Sequence, residues 1–255
     1  MKKLYASLVL VGLVTVPSLA AAADSPHSLS GNVSLTSNYV FRGISQTSAE
    51  PAIQGGLDYT HSSGIYLGTW ASNVNWLKDY QGYDSGSLEI DLYGGYRGAF
   101  GDISYDVGAI TYIYPGDKGT ATTADTSEVY AAVGWKWFTV KYSYAISDEV
   151  FGFANADGSD YWDLAASVPL GDSGFTAGAH WGTFSFDKNS AQDYDDWKLS
   201  LTYDMGKLSG AMSGVTVGVA YTDTNAKKSV WTNTFGATSE FLGDSATTVW
   251  ISKAL

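Results

Sequence analysis

Charge in this chain is confined to one face of a two-residue repeat, and that restriction narrows the folds open to it more than any other feature. Successive side chains on a β-strand point to opposite faces, so an extended segment divides by parity. Segments with the repeat run over 29–42, 52–60, 64–72, 88–98, 102–114, 128–137, 138–147, 161–170, 175–186, 197–205, 214–222 and 247–255. In the fourth, Leu88, Ile90, Leu92 and Tyr96 oppose Glu89, Asp91, Tyr93 and Arg97. The charges Arg42, Asp58, Glu89, Asp91, Arg97, Asp102, Asp106, Glu128, Lys136, Lys141, Asp163, Lys198 and Asp204 all fall on the less apolar face. Lys253 is the exception, and its long stem can carry the ammonium to an interface. A Lys or Arg facing lipid at mid-membrane costs roughly 2–4 kcal/mol, and a watery interior removes that cost.

Soluble sandwiches also alternate, but the connections separate the two. They run long, short, long, short: 43–51, 61–63, 73–87, 99–101, 115–127, almost nothing near Trp137, 148–160, 171–174, 187–196, an intermediate 206–213, and the longest, 223–246. Outer-membrane barrels segregate long loops outside from short periplasmic turns. The expected fold is therefore all-β, a transmembrane antiparallel β-barrel of outer-membrane type with about 12 strands. Aromatic residues near segment ends on the apolar face fit interfacial girdles, among them Tyr39, Phe41, Tyr59, Tyr96, Trp135, Trp137, Phe138, Trp162, Trp181, Trp197 and Tyr221.

The N-terminus sets the compartment. Lys2 and Lys3 precede an apolar run from Leu4 to Val16, and small residues Ala20 to Ala23 follow Pro17. This is the layout of a cleaved secretory signal, and the run is short for a membrane anchor. The expected division is a signal peptide over 1–23 and a barrel over 24–255, exported to the bacterial outer membrane. Without Lys2 and Lys3 the chain has 12 Lys and Arg against 26 Asp and Glu, which disfavours nucleic acid as a partner. It has no cysteine, so disulfides, thiolate metal sites and catalytic thiols are excluded.

The first segments resemble a known family. Gly31-Asn32-Val33, then Ser37-Asn38-Tyr39-Val40-Phe41-Arg42-Gly43-Ile44-Ser45-Gln46-Thr47, is similar to the N-terminal signature of the TorF family. That proteobacterial family was first grouped as conserved hypothetical proteins, and a porin role is ascribed to it. Pro51 to Tyr59, Gly64 to Val74, Glu89 to Tyr96 and Tyr114-Pro115-Gly116 continue the match, which thins beyond about residue 116. The resemblance implies an outer-membrane barrel with a transport role; it carries no solute and no functional residues. The chain ends in Leu255 where many such barrels end in Phe.

Chemistry beyond transport finds little support. The histidines are His27, His61 and His180; the first two are read as solvent-facing, and parity turns His180 to the lumen. No base, nucleophile and orienter assemble on one face and no G-x-S-x-G elbow occurs, so no catalytic residue is expected. Asp193, Asp195 and Asp196 read as a solvated acidic loop with too few ligands for calcium, and no metal or cofactor is expected. The residues with a functional argument are Arg42, Gln54, Glu89 and Asp91, lumen-facing in the outer half, with Asp58 deeper on the same side. Opposed charges in a narrow pore create a transverse field that selects solutes by charge. Twelve strands spaced about 4.8 Å apart and tilted ~40° give a backbone radius of roughly 12 Å, between a filled small barrel and an open large one.

The expected function is a porin-like channel for passive diffusion of ions or small solutes. The alternative is a closed structural or adhesive barrel acting through its extracellular loops. Outer-membrane lipid and lipopolysaccharide are the expected surroundings, and the sequence leaves oligomerisation open. The 223–246 segment, with Trp231, Phe235 and Phe241, is long and aromatic enough to fold inward or to meet a partner outside.

Overall fold

The computed structural model describes residues 25–255; the expected signal peptide over 1–23 lies outside them. Twelve antiparallel strands close into one barrel: β1 (His27–Thr36), β4 (Ala52–His61), β5 (Ile65–Asn73), β6 (Leu88–Phe100), β7 (Ile103–Ile113), β8 (Thr126–Trp135), β9 (Phe138–Ala145), β10 (Asp160–Pro169), β11 (Phe175–Ser185), β12 (Tyr194–Asp204), β13 (Val215–Thr224) and β14 (Ala246–Ala254). Each strand pairs with its sequence neighbour in the wall, and β1 pairs with β14 from Asn32↔Ala254 to Thr36↔Trp250. Closure leaves no strand edge unpaired, which a sheet in lipid requires. Among the described residues no helix is long and apolar enough to cross a membrane; this barrel would cross with strands.

The wall obeys the parity of the sequence. Leu57, Leu67 and Leu199 stand 63%, 61% and 55% exposed on the outside, while Gln54, Glu89, Asp106 and Glu128 point inward and are buried. An apolar exterior with a polar interior is the inverse of a soluble protein and suits lipid. Exposed aromatic side chains gather near both rims. Phe100, Trp135, Trp137 and Phe138 lie toward the short-turn end, and Trp162, Trp181, Trp197 and Tyr221 toward the other.

Connections at one end are 62–64, 101–102, 136–137, 170–174 and 205–214; at the other they are 37–51, 74–87, 114–125, 146–159, 186–193 and 225–245. Both described termini lie at the short-turn end. The alternation holds except at 205–214, which two short 3-10 turns lengthen beyond the 186–193 connection of the other end.

The first segment departs from expectation. The strand ends at Thr36, not at residue 42, and the chain then turns into the barrel as a small hairpin, β2 (Val40–Phe41) with β3 (Ile44–Ser45). Tyr39 and Phe41 therefore do not join the outer girdle: Tyr39 is buried, and Phe41 packs edge-on against Tyr112 and Phe151 inside. The hairpin turn is Arg42-Gly43, both with positive φ (45° and 79°), as a type I′ turn requires.

Around this hairpin the long-loop half of the barrel has a hydrophobic core. Val74, Trp76 and Leu77 from the 74–87 connection and its short helix α1 (Trp76–Asp79) enter it, as do Val150, Phe151, Trp231 and Leu242 from later loops. Trp231 stacks on Tyr80 with ring centroids 5.8 Å apart and meets Tyr194 edge-on at 5.3 Å. The 225–245 connection thus folds inward at Trp231 while Phe235 stays exposed.

Candidate functional site: the charged lumen

Inward-pointing residues of β6 place Glu89 and Asp91 near the long-loop end, and β4 places Gln54 at the same level with Asp58 deeper. All four occupy the lumen positions that parity assigned. Arg42 arrives by a different route, carried in on the hairpin turn instead of projecting from the wall.

Each of these groups but one is engaged. The Arg42 guanidinium donates through Nη1 to Glu128 Oε1 at 2.8 Å and through Nη2 to Glu128 Oε2 at 2.7 Å. Its Cζ sits 4.3 Å from the Tyr161 ring centroid, 4.8 Å from Phe184 and 4.9 Å from Phe41. Planar fork geometry and weak hydration suit Arg to such a buried, aromatic-walled pairing. Burial opposes the Arg42 charge, but the charge and hydrogen bonds of Glu128, with the Tyr112 and Tyr161 phenols, outweigh it and raise its pKa.

Glu89 Oε1 accepts from the Tyr39 hydroxyl at 2.7 Å. Burial first, and then the charge of Glu89, push the Tyr39 phenol well above its ordinary pKa, so it stays a donor. Gln54 Nε2 donates to Ser72 Oγ at 3.2 Å, and the Ser34 hydroxyl donates to Gln54 Oε1 at 3.4 Å, bridging three adjacent strands. Asp58 Oδ1 accepts from Tyr93 at 2.8 Å. Of these five residues, only Asp91 has a buried oxygen, Oδ1, with no hydrogen-bond partner.

A second inward network was only partly foreseen. His180 lies in the lumen as parity requires, with Nδ1 3.2 Å from Asp163 Oδ1 and Nε2 2.9 Å from Asp196 Oδ1. Tyr161 donates to Asp196 Oδ2 at 2.8 Å. A base and carboxylate orienters share one face here, beyond what parity alone placed at His180. The groups hydrogen-bonded to His180 are a phenol and two carboxylates, not a serine. Nor do the three neighbouring aspartates form one loop cluster. Asp193 accepts from the Phe186 amide, Asp195 Oδ2 accepts from Asn225, and Asp196 belongs to β12 and points inward. Among the described residues no group of three or more His, Cys, Asp or Glu side chains is arranged to hold a metal ion.

Deeper in the barrel, aromatic rings lie against glycines on the facing strand. Tyr93 crosses Gly68, and Tyr66 and Tyr130 cross Gly95 and Gly108, each pair in direct register. A Cβ on Gly108 would lie 2.7 Å from the Tyr130 hydroxyl. The Tyr66 and Tyr130 hydroxyls bond to each other, Tyr66 donates to Asp106 at 2.6 Å, and Arg97 and Lys141 cover the two rings. With glycine beneath them, the rings lie along the wall instead of projecting across the lumen.

The family model described as "Bacterial protein of unknown function (Gcw_chp)" matches residues 20–255. The chain belongs to the Gcw_chp family. Among solved structures, this Gcw_chp member is similar to "KdgM porin" at a TM-score of 0.52 and 8% identity, over 88% of this chain and 97% of that one. It is similar also to "KdgM porin in complex with disordered oligogalacturonate" at 0.52 and 7% identity, over 89% and 96%. OccAB4 of Acinetobacter baumannii matches at 0.42 and 12% identity, over 86% and 56%. No curated protein matches the sequence. At these identities the KdgM likeness is one of fold, a closed barrel of porin type.

Proposed function

We propose that this Gcw_chp protein is an outer-membrane porin-like channel for passive diffusion of ions or small solutes. The carrying observation is a closed twelve-strand barrel that is apolar outside and lined inside by opposed charges. In a pore such opposed wall charges sort solutes by charge. In this reading Arg42, Gln54, Asp58, Glu89 and Asp91 form the selective stretch. Lipid and lipopolysaccharide surround the wall, the long loops face outside, and the segment over 1–23 is an export signal removed from the mature chain. The motif likeness to the TorF family supports the same assignment.

A second reading, a closed structural or adhesive barrel, draws on the aromatic core that fills the long-loop half. Liposome swelling separates the two. Vesicles with the refolded protein should swell in isotonic solutions of small solutes faster than protein-free vesicles; equal rates for every solute, charged or neutral, would leave the closed barrel as the better account.

A further inference from the structure

One sector of the lumen carries no charge. On β13, β14 and β1 the inward positions hold only Ser, Thr, Asn, Gly and Ala, with a single aromatic residue, Trp250. Its register partners are Gly218 on β13 and Thr36 on β1, so it stands where the wall strand ends and the inserted hairpin begins. An added Cβ on Gly218 would collide with the six-membered ring of the indole, which therefore lies flat along the wall. Thr248 and Ser252 flank it on the same strand and face. The lumen-side face of the indole is bare. Other flat lumen rings carry a cation, Arg97 over Tyr66, Lys141 over Tyr130 and Arg42 over Tyr161. Among the described residues neither a cation nor a second ring lies over Trp250.

Trp250 Nε1 and the Thr248 and Ser252 hydroxyls have no hydrogen-bond partner among the described residues. None of them is a sealed atom; the sealed, unpartnered ones are Trp76 Nε1, Asp91 Oδ1, Gln192 Oε1 and Asn233 Oδ1. The three groups around Trp250 thus open on the lumen, beside an apolar ring face that water covers at a cost. We propose that Trp250, with Thr248 and Ser252, is a binding site for neutral sugar rings inside the barrel. The chemistry selects this class of ligand. A pyranose lays an apolar C–H face on the indole and turns its rim of hydroxyls to the threonine, the serine and the indole N–H. A plain aromatic solute would leave those polar groups unused, and an ionised one finds no counter-charge on these three strands. A single ring face with a few hydroxyls also holds a solute weakly enough to let it leave, as passage through a pore demands. The site's part in permeation rests on the channel reading above; the binding itself does not.

The test is saturation-transfer difference NMR on the refolded full barrel in micelles of a sugar-free amine-oxide detergent, with methyl β-glucoside as the probe. Saturating the wild-type protein should reach the ring protons of the glucoside. Trp250→Leu should lose most of that signal, and Trp250→Phe, which restores a flat ring, should keep it. Trp197→Leu, on the lipid face, should match wild type. Thr248→Val removes one hydroxyl at nearly constant shape and should weaken the signal; it carries the test if Trp250→Leu does not fold. No transfer in wild type overturns the site, and so does equal transfer in wild type, Trp250→Leu and Thr248→Val. Swelling of vesicles in isotonic glucose separates this from the channel reading. Transfer that Trp250→Leu abolishes, in a protein whose vesicles do not swell, keeps the site and removes the channel. Swelling in glucose, with transfer equal in wild type and Trp250→Leu, keeps the channel and removes the site.

Discussion

Arg42 and Glu128, 86 residues apart, meet inside the barrel through a two-pronged ion pair of 2.8 and 2.7 Å that joins the inserted hairpin to the wall at β8. Taking one partner away leaves the other charged, buried and unpaired, which typically costs 3–5 kcal/mol. Glu128→Ala is thus expected to lower the unfolding free energy by about that much. The double change Arg42→Met with Glu128→Leu should recover most of it, since an apolar pair of similar volume is often neutral. Urea unfolding of the refolded barrel in micelles, followed by tryptophan fluorescence, reads both values. A Glu128→Ala protein as stable as wild type would mean that the hairpin is not held by this pair.

The lumen tyrosines make a separate prediction about folding. A Cβ on Gly68 would run into the Tyr93 ring and come within 2.7 Å of Asp58 Oδ1. Gly68→Val is expected to cost about 1–3 kcal/mol, the usual range for overpacking. Adding Tyr93→Ala should relieve the clash and lower the penalty, which a double-mutant cycle on unfolding midpoints would reveal.

Trp231 fastens the longest connection to the core through Tyr80, Tyr194 and Phe153. Trp231→Ala should free the 225–245 segment without opening the wall. Trypsin should then cut at Lys227 or Lys228 much faster than in wild type, while the barrel fragment stays resistant. Cleavage at the wild-type rate would show that other contacts hold this loop.

Much of this architecture is written into the alternation itself. The strand number, the closure and the inward direction of Gln54, Asp58, Glu89 and Asp91 follow from parity, because one slipped residue would turn charges to lipid. The hairpin was not legible in the same way. Tyr39, Val40, Phe41 and Arg42 continue the two-residue rhythm of Leu35 and Thr36 without a break, so a local pattern extends the strand to residue 42. The signals against it were short: Ser37-Asn38, a turn-forming pair, and Arg42-Gly43, which fits a tight hairpin. Asp196 was missed for a related reason: β12 begins at Tyr194, before the apolar run from Trp197 announces it. Glu128 meets Arg42 only because the hairpin turns inward, and Asp163 and Asp196 meet His180 through the register of the β10–β11 and β11–β12 hairpins, which parity alone does not set.

The hairpin on which Arg42 sits narrows the outer half of the barrel, and the proposed channel must conduct past it. Replacing residues 38–50 with a short Gly-Ser turn should widen the path without touching the wall strands β1 and β4. Single-channel recording in a planar bilayer compares this variant with wild type directly. Discrete current steps are expected in both, with the larger conductance in the hairpin-less protein. Properly inserted protein that gives no steps at any voltage, with or without the hairpin, would contradict the account.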